Sequence, residues 1–200
     1  MVPALPARRR RASCDADAYV VTHECPSSMV GTVPGLEAML GRTEPEQLAF
    51  VDRAAGFLIG RRLTRGSEST FNAEERDTAP DWLRPCFPRL YFYDVLRGLA
   101  ALVRWAELRQ RAVPREAVED VVLHLLDAWP DGVARPQRLA VARCPTGWRA
   151  GPDGWARAPT ASFPLLDACS AVGAPSAALT RQWTEARRGL LRLWEAGRLA

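Results

Sequence analysis

Apolar residues recur along this chain at helical spacing in six stretches, separated by polar segments marked by proline and glycine. The first covers 29–40, and Pro34 is expected to open its regular part. The second covers 43–63 and opens on Thr43-Glu44-Pro45-Glu46, which reads as a capping box with Thr43 at the N-cap. Leu48, Val51, Ala55 and Leu58 form one apolar row there, and Phe50, Ala54 and Phe57 form another. Two rows predict a helix buried on more than one side.

The third stretch, 89–109, has a stripe of Tyr91, Val95, Leu99, Leu102 and Ala106, with Arg97 and Arg104 opposite. The fourth starts at Pro114 and ends near Trp129, with Val118, Val122, Leu125 and Trp129 inward. Glu116, Asp120, His124 and Asp127 face outward. The fifth, 161–172, is stopped by Gly173, and the sixth runs from 176 to 197. Leu179, Trp183, Ala186, Leu190 and Trp194 form the predicted buried stripe of that last helix.

Residues 64–88 read as a long loop, and 130–159 as irregular chain with a small β-hairpin near 147–157 around Gly151-Pro152-Asp153-Gly154. The helices fall into consecutive pairs. The pattern predicts an all-α fold of stacked helical hairpins, a solenoid or a closed ring. Residues 1–28 form an irregular basic segment, and 29–200 a single helical domain.

Composition narrows the chemistry. The 48% of hydrophobic residues suffices for a substantial core, and no stretch has the roughly 20 continuous apolar residues of a membrane span. The net charge of +4 equals the four arginines at Arg8, Arg9, Arg10 and Arg11, so the rest of the chain is balanced and no basic groove is implied. Cys14-Asp15-Ala16-Asp17 follows those arginines where a secretory signal would need an apolar stretch, so the expected address is cytoplasmic. All 27 basic residues are arginine. With no lysine there is no Schiff-base or phosphate-loop lysine. A chain rich in arginine, alanine and proline and without lysine is associated with GC-rich bacterial genomes, which is the expected source. Five scattered cysteines without a C-x-x-C pair read as buried thiols in place of a disulfide framework.

Four segments carry a family resemblance: "HECPSSMVGTVPGLEAML", "FLIGRRLTR", "PDWLRPCFPRLYFYDVLRGLAAL" and "SFPLLDACSAVG". Their order, over 23–197, resembles the prenyltransferase/squalene-cyclase-like repeat proteins of the terpenoid cyclase and protein prenyltransferase superfamily. The resemblance implies a partial α/α toroid and an apolar cavity. The family's catalytic signatures are missing. Cyclases protonate substrate from a D-x-D-D run, and here Asp15-Ala16-Asp17 is only D-x-D. Prenyltransferases bind zinc through D-x-C and a later histidine. Asp167-Ala168-Cys169 has no histidine after it, and its two side chains would point about 200° apart on a helix.

Asp94 is the acid to examine first. Helical spacing sets Asp94, Gly98, Ala101 and Trp105 in one row, and an acid beside two small residues and an indole could line a cavity and donate a proton. The competing reading is an early-helix acid favoured by the macrodipole and paired with Arg97. Tyr91, Gly98, Trp105 and Phe87 are the expected ligand-cavity residues. Cyclases use such aromatic faces for cation–π stabilisation, and helix packing accounts for the same residues. Cys14, His23 and Cys25 match no standard zinc spacing, so no metal or cofactor is expected. His124 reads as a solvated residue between Asp120 and Asp127.

The leading expectation is a helical domain without catalysis that binds an apolar ligand or a protein partner, self-association included. One alternative is an enzyme acting on an isoprenoid or related lipid with Asp94 as its acid. The other is nucleic-acid attachment through Arg8 to Arg11, which the charge balance argues against.

Overall fold

The structure is a computed structural model that describes residues 27–69, 72–140, 146–152, 154–159 and 164–200. Arg8 to Arg11, Cys14, Asp15, Asp17, His23, Cys25 and Cys144 lie outside those residues. Seven α-helices are described: α1 (Met29–Met39), α2 (Pro45–Gly60), α3 (Ala73–Thr78), α4 (Val95–Arg109), α5 (Glu119–Ala128), α6 (Pro164–Ser170) and α7 (Ala177–Glu195). One antiparallel hairpin joins β1 (Thr146–Gly151) to β2 (Gly154–Pro159), with Trp148 opposite Arg157 and Ala150 opposite Trp155. The protein is therefore mostly helical with a small hairpin, as the pattern predicts.

Helix α4 is the centre of the packing. Val95, Leu96, Gly98, Leu99, Ala101, Leu102, Val103, Trp105 and Ala106 are all buried, so it is covered nearly all round. It packs against α7 most extensively, then against α1, α2 and α5, while α1 and α2 pack on each other. The α4–α7 crossing is close because Gly189 faces Val103; a methyl group on Gly189 would overlap Val103 Cγ1. The doubly buried helix is thus α4 more than α2, whose buried residues are Phe50, Val51, Ala54, Ala55 and Leu58.

Several boundaries differ from the sequence expectation. Helix α1 starts at Met29 and carries Pro34 inside it, because Ser28 caps it by accepting from Gly31 N at 3.0 Å. At α2 the N-cap is Glu44, with no side-chain cap bond; Pro45 fixes the first helical residue and leaves Thr43 outside. The expected loop 64–88 contains α3 and a 3-10 turn, Ala79–Leu83. The stretch from Pro114 opens with a 3-10 turn, Arg115–Ala117, before α5. Ser176 caps α7 through Leu179 N, while α6 ends at Ser170, short of the expected 172, and Gly173 lies in the turn that follows at φ +80°.

Helix α3 has a structural task. Glu75, buried, accepts from the Met29 N–H at the start of α1 and from Asn72 Nδ2 at 3.3 Å. Burial pushes its carboxyl above the usual glutamate range, against the lowering pull of that bond and of Arg61.

Gly189→Ala should cost about 1–3 kcal/mol through overpacking. Gly56→Ala, on an exposed helical position with open space, should gain about 0.5–1 kcal/mol. Urea unfolding of both variants gives the two signs. For Glu75 the folded pKa lies above the unfolded one. Its contribution is fully present below the unfolded pKa and fades as pH rises through the folded value. The stability of Glu75→Gln relative to the parent should therefore improve steadily as pH rises from acid towards neutral. A difference that is flat or moves the other way contradicts this placement.

Candidate functional site

Asp94 is not inside a helix. It is the N-cap of α4, with extended backbone, and its Oδ1 accepts from Arg97 N at 3.0 Å. The predicted start at residue 89 moves to Val95 because this side chain satisfies α4's first donors. The carboxylate is fully buried. Oδ2 accepts from Arg89 Nε at 2.5 Å and from Cys86 N at 3.3 Å. Arg89 in turn donates from Nη1 to Gln182 of α7 at 2.5 Å. Burial, and secondarily the charge of Asp94, pushes the Cys86 thiol up.

Arg97, expected to pair with Asp94 through its side chain, reaches α1 instead. It holds Glu37 with Nη2 at 2.6 Å and Nε at 3.0 Å, and donates to Phe92 O at 3.0 Å. Arg138 donates to Tyr93 O at 3.1 Å and to Asp81 O at 3.1 Å. His124 does not stand free on a wet face: its Nε2 meets Leu83 O at 2.7 Å, tying α5 to the 3-10 turn. Segment 81–94 is therefore clamped from α1, α5, α7 and the 130s chain.

The expected cavity residues do not gather around Asp94. Gly98 is covered by Tyr93, and a methyl group there would overlap the phenol, with Cε2 at 2.8 Å and Cζ at 2.9 Å. Tyr93 is buried, donates to Leu63 O at 2.8 Å and meets Trp82 edge-on with centroids 5.0 Å apart. Burial raises its phenol well above the ordinary range. Trp105 donates its indole N–H to Asp52 of α2 at 2.9 Å. Asp52 also takes Arg109 at 3.0 Å, the chief cause of its lowered pKa. Phe87 is half-buried against the core, while Tyr91 is 63% exposed and stacks on Phe92 at 4.4 Å. Asp94, Gly98 and Trp105 thus each have their own partner, and the surroundings of Asp94 are filled by side chains.

Among the described residues, cavities lie elsewhere. One, of about 490 Å³, runs between α1, α4 and α7 and is polar at its rim, with Glu37, Arg104, Glu107 and Glu185; Ala101 is at its wall. Arg192 spans that rim to Glu107 at 2.6 Å. Another, of about 590 Å³, is a groove between α5 and α7. These helices run antiparallel. Trp129 meets Trp183 at one end, with centroids 6.3 Å apart, and Val113 N donates to Arg198 O at 2.8 Å at the other. The floor is Val118, Val122, Leu190 and Leu199, the walls are Leu123, Leu126, Leu191 and Trp194, and Arg115, Glu119 and Arg187 also line it.

The wall residues are the ones that sequence reasoning missed. Leu123, Leu126, Leu191 and Trp194 are 58%, 40%, 56% and 67% exposed. Trp194, assigned to the buried stripe, is displaced from it by Leu193, which is 1% exposed. Leu179, Trp183, Ala186, Leu190 and Leu193 alternate by four and three residues and make a straight seam. Trp194 lies beyond its edge. Leu123 and Leu126, three residues apart on α5, carried the signal: two leucines among the outward acids.

Among the described residues, no group of three or more His, Cys, Asp or Glu side chains comes together to hold a metal. No helix among them is long and apolar enough to cross a membrane.

Asp94→Ala should lose about 3–5 kcal/mol, because it removes a cap and strands a mostly buried arginine. Asp94→Asn keeps the cap acceptor but also leaves Arg89 without its anion, so it should lose less than the alanine variant only by the worth of the cap, about 1 kcal/mol. Urea titration separates them, and a loss below about 1 kcal/mol for the alanine variant would contradict the structural role.

No family model, no curated protein and no solved structure matches this chain.

Proposed function

We propose that this protein is a binding domain without catalysis of its own, and that the α5–α7 groove is where it takes an apolar occupant. The observation that carries this is the wall of Leu123, Leu126, Leu191 and Trp194 around a groove of about 590 Å³. Exposed leucines scattered singly are ordinary, whereas four large apolar side chains around one concave surface mark a binding surface. The volume lies within the range of ligand pockets and equally suits the apolar face of a partner helix.

Kinship with the α/α toroid proteins belongs to the same proposal. The packing of α1 on α2 supports it, while the dominant α4–α7 contact joins helices that are not neighbours in sequence and departs from a simple stack of hairpins. A cytoplasmic setting is also part of the proposal. The reading with Asp94 as an isoprenoid-directed acid draws no support from its surroundings, since its oxygens are taken by Arg89, Arg97 and Cys86.

The test uses the environment-sensitive dye bis-ANS on the full chain at nanomolar concentration, where any self-association is dissociated. Saturable uptake with a blue-shifted emission is expected. Leu123→Gln and Trp194→Gln should each reduce it several-fold without changing the circular dichroism, because both side chains are more than half exposed. Uptake that ignores both substitutions would remove the groove from consideration.

A further inference from the structure

We infer that the occupant of the α5–α7 groove is a second copy of this chain, docked about a two-fold axis so that two α5–α7 layers form a four-helix interface. The inference rests on the groove reading above and names its partner.

The pattern is self-complementary in two respects. Each helix contributes one apolar pair at i and i+3: Leu123 with Leu126 on α5, and Leu191 with Trp194 on α7. A copy turned by a two-fold axis presents the same ridges and hollows to the same surface, the condition for an isologous interface. The charges agree with that symmetry. Arg188 and Glu195 are both exposed and stand two turns apart on one flank of α7, beside Leu191 and Trp194. In an antiparallel helix pair, each flank faces the same flank of its partner. Arg188 then meets Glu195 of the other copy, and Glu195 meets its Arg188, so one sequence supplies both halves of two ion pairs.

Arg188 makes no hydrogen bond or ion pair with another described residue, and Glu195 interacts with Arg192 only through its charge. Both are thus available. A partner of different sequence would need no such matching of one flank with itself.

Size sets the strength. Helix α5 is about 15 Å long, and two packed helices are about 20 Å wide. Such a face is smaller than the roughly 800 Å² per partner of a standard interface, so only weak, reversible association is expected, and the micromolar range and above is where to look for it.

Sedimentation equilibrium of the full chain across that range tests the inference. A monomer–dimer equilibrium is expected. Arg188→Glu and Glu195→Arg should each weaken it about tenfold, because symmetry alters every pair twice. Mixing the two single variants should restore association at about the parent strength as a mixed dimer, since each like-charged flank then meets its opposite. The double variant R188E/E195R should dimerise like the parent.

Recovery on mixing supports the inference, and no other occupant predicts it. A chain that stays monomeric, or single variants that associate like the parent, overturns it. If such a monomer still takes up bis-ANS in a manner dependent on Leu123 and Trp194, the groove stands and its occupant is a different molecule. If uptake ignores those residues, the groove reading has failed as well.

Discussion

The start of α4 is buried, and that sets the terms for much of the molecule. The first N–H groups of a helix have no partners within it, and away from water each must find an acceptor. One carboxylate supplies it here. Asp94 caps the Arg97 N–H, but a fully buried anion then needs its own cation. Arg89 provides it, and its guanidinium extends to Gln182 on α7. Arg97, freed from Asp94, reaches Glu37 on α1. A single cap thus connects α4 to two of the helices that cover it, and fixes segment 81–94 between them. The energetic character of this cluster is specific more than strongly stabilising. Buried pairs often contribute little relative to apolar replacements, yet breaking one partner is expensive.

What was legible in the sequence was local. Helix α7 could be read from Ser176 and its apolar stripe, and the hairpin from Gly151-Pro152-Asp153-Gly154 between two tryptophans, because these signals lie within a few residues of the structure they specify. The start of α4 was not legible. The stripe through Tyr91 and Val95 fits a helix from 89 onwards, and only contacts with Arg89, Cys86 and Gln182 make a cap of Asp94. Glu75 is similar. Nothing near it in sequence announces that it caps a helix 46 residues earlier.

The expected cavity row failed for a related reason. Helical spacing tells which side chains share a face, not what fills the space in front of them. Gly98 looked like room beside an acid, but the room belongs to Tyr93, whose hydroxyl is bound to Leu63 O. Trp105 looked like an aromatic wall, but its N–H is committed to Asp52 across the α2–α4 contact. Small residues next to large ones in a sequence are most often a packed pair, since interiors leave few voids.

The opposite error occurred on α5 and α7, and it is the more informative one. The folding of α7 onto α4 is satisfied by Leu179, Trp183, Ala186, Leu190 and Leu193, all at or below 8% exposure. On α5, Val121 and Leu125 are fully buried. Leu191, Trp194, Leu123 and Leu126 add little to either contact. A surface helix gains nothing from them in water, where arginine and glutamate serve propensity and solubility better. The remaining outer positions of α7 do follow that rule, with Arg181, Glu185, Arg188, Arg192 and Glu195. An apolar pair interrupting a charged face, matched by a second pair on the antiparallel neighbour, is a cost in solubility that folding does not require. On the binding reading proposed above, the physical return on it lies outside the single chain, in whatever excludes water from the groove.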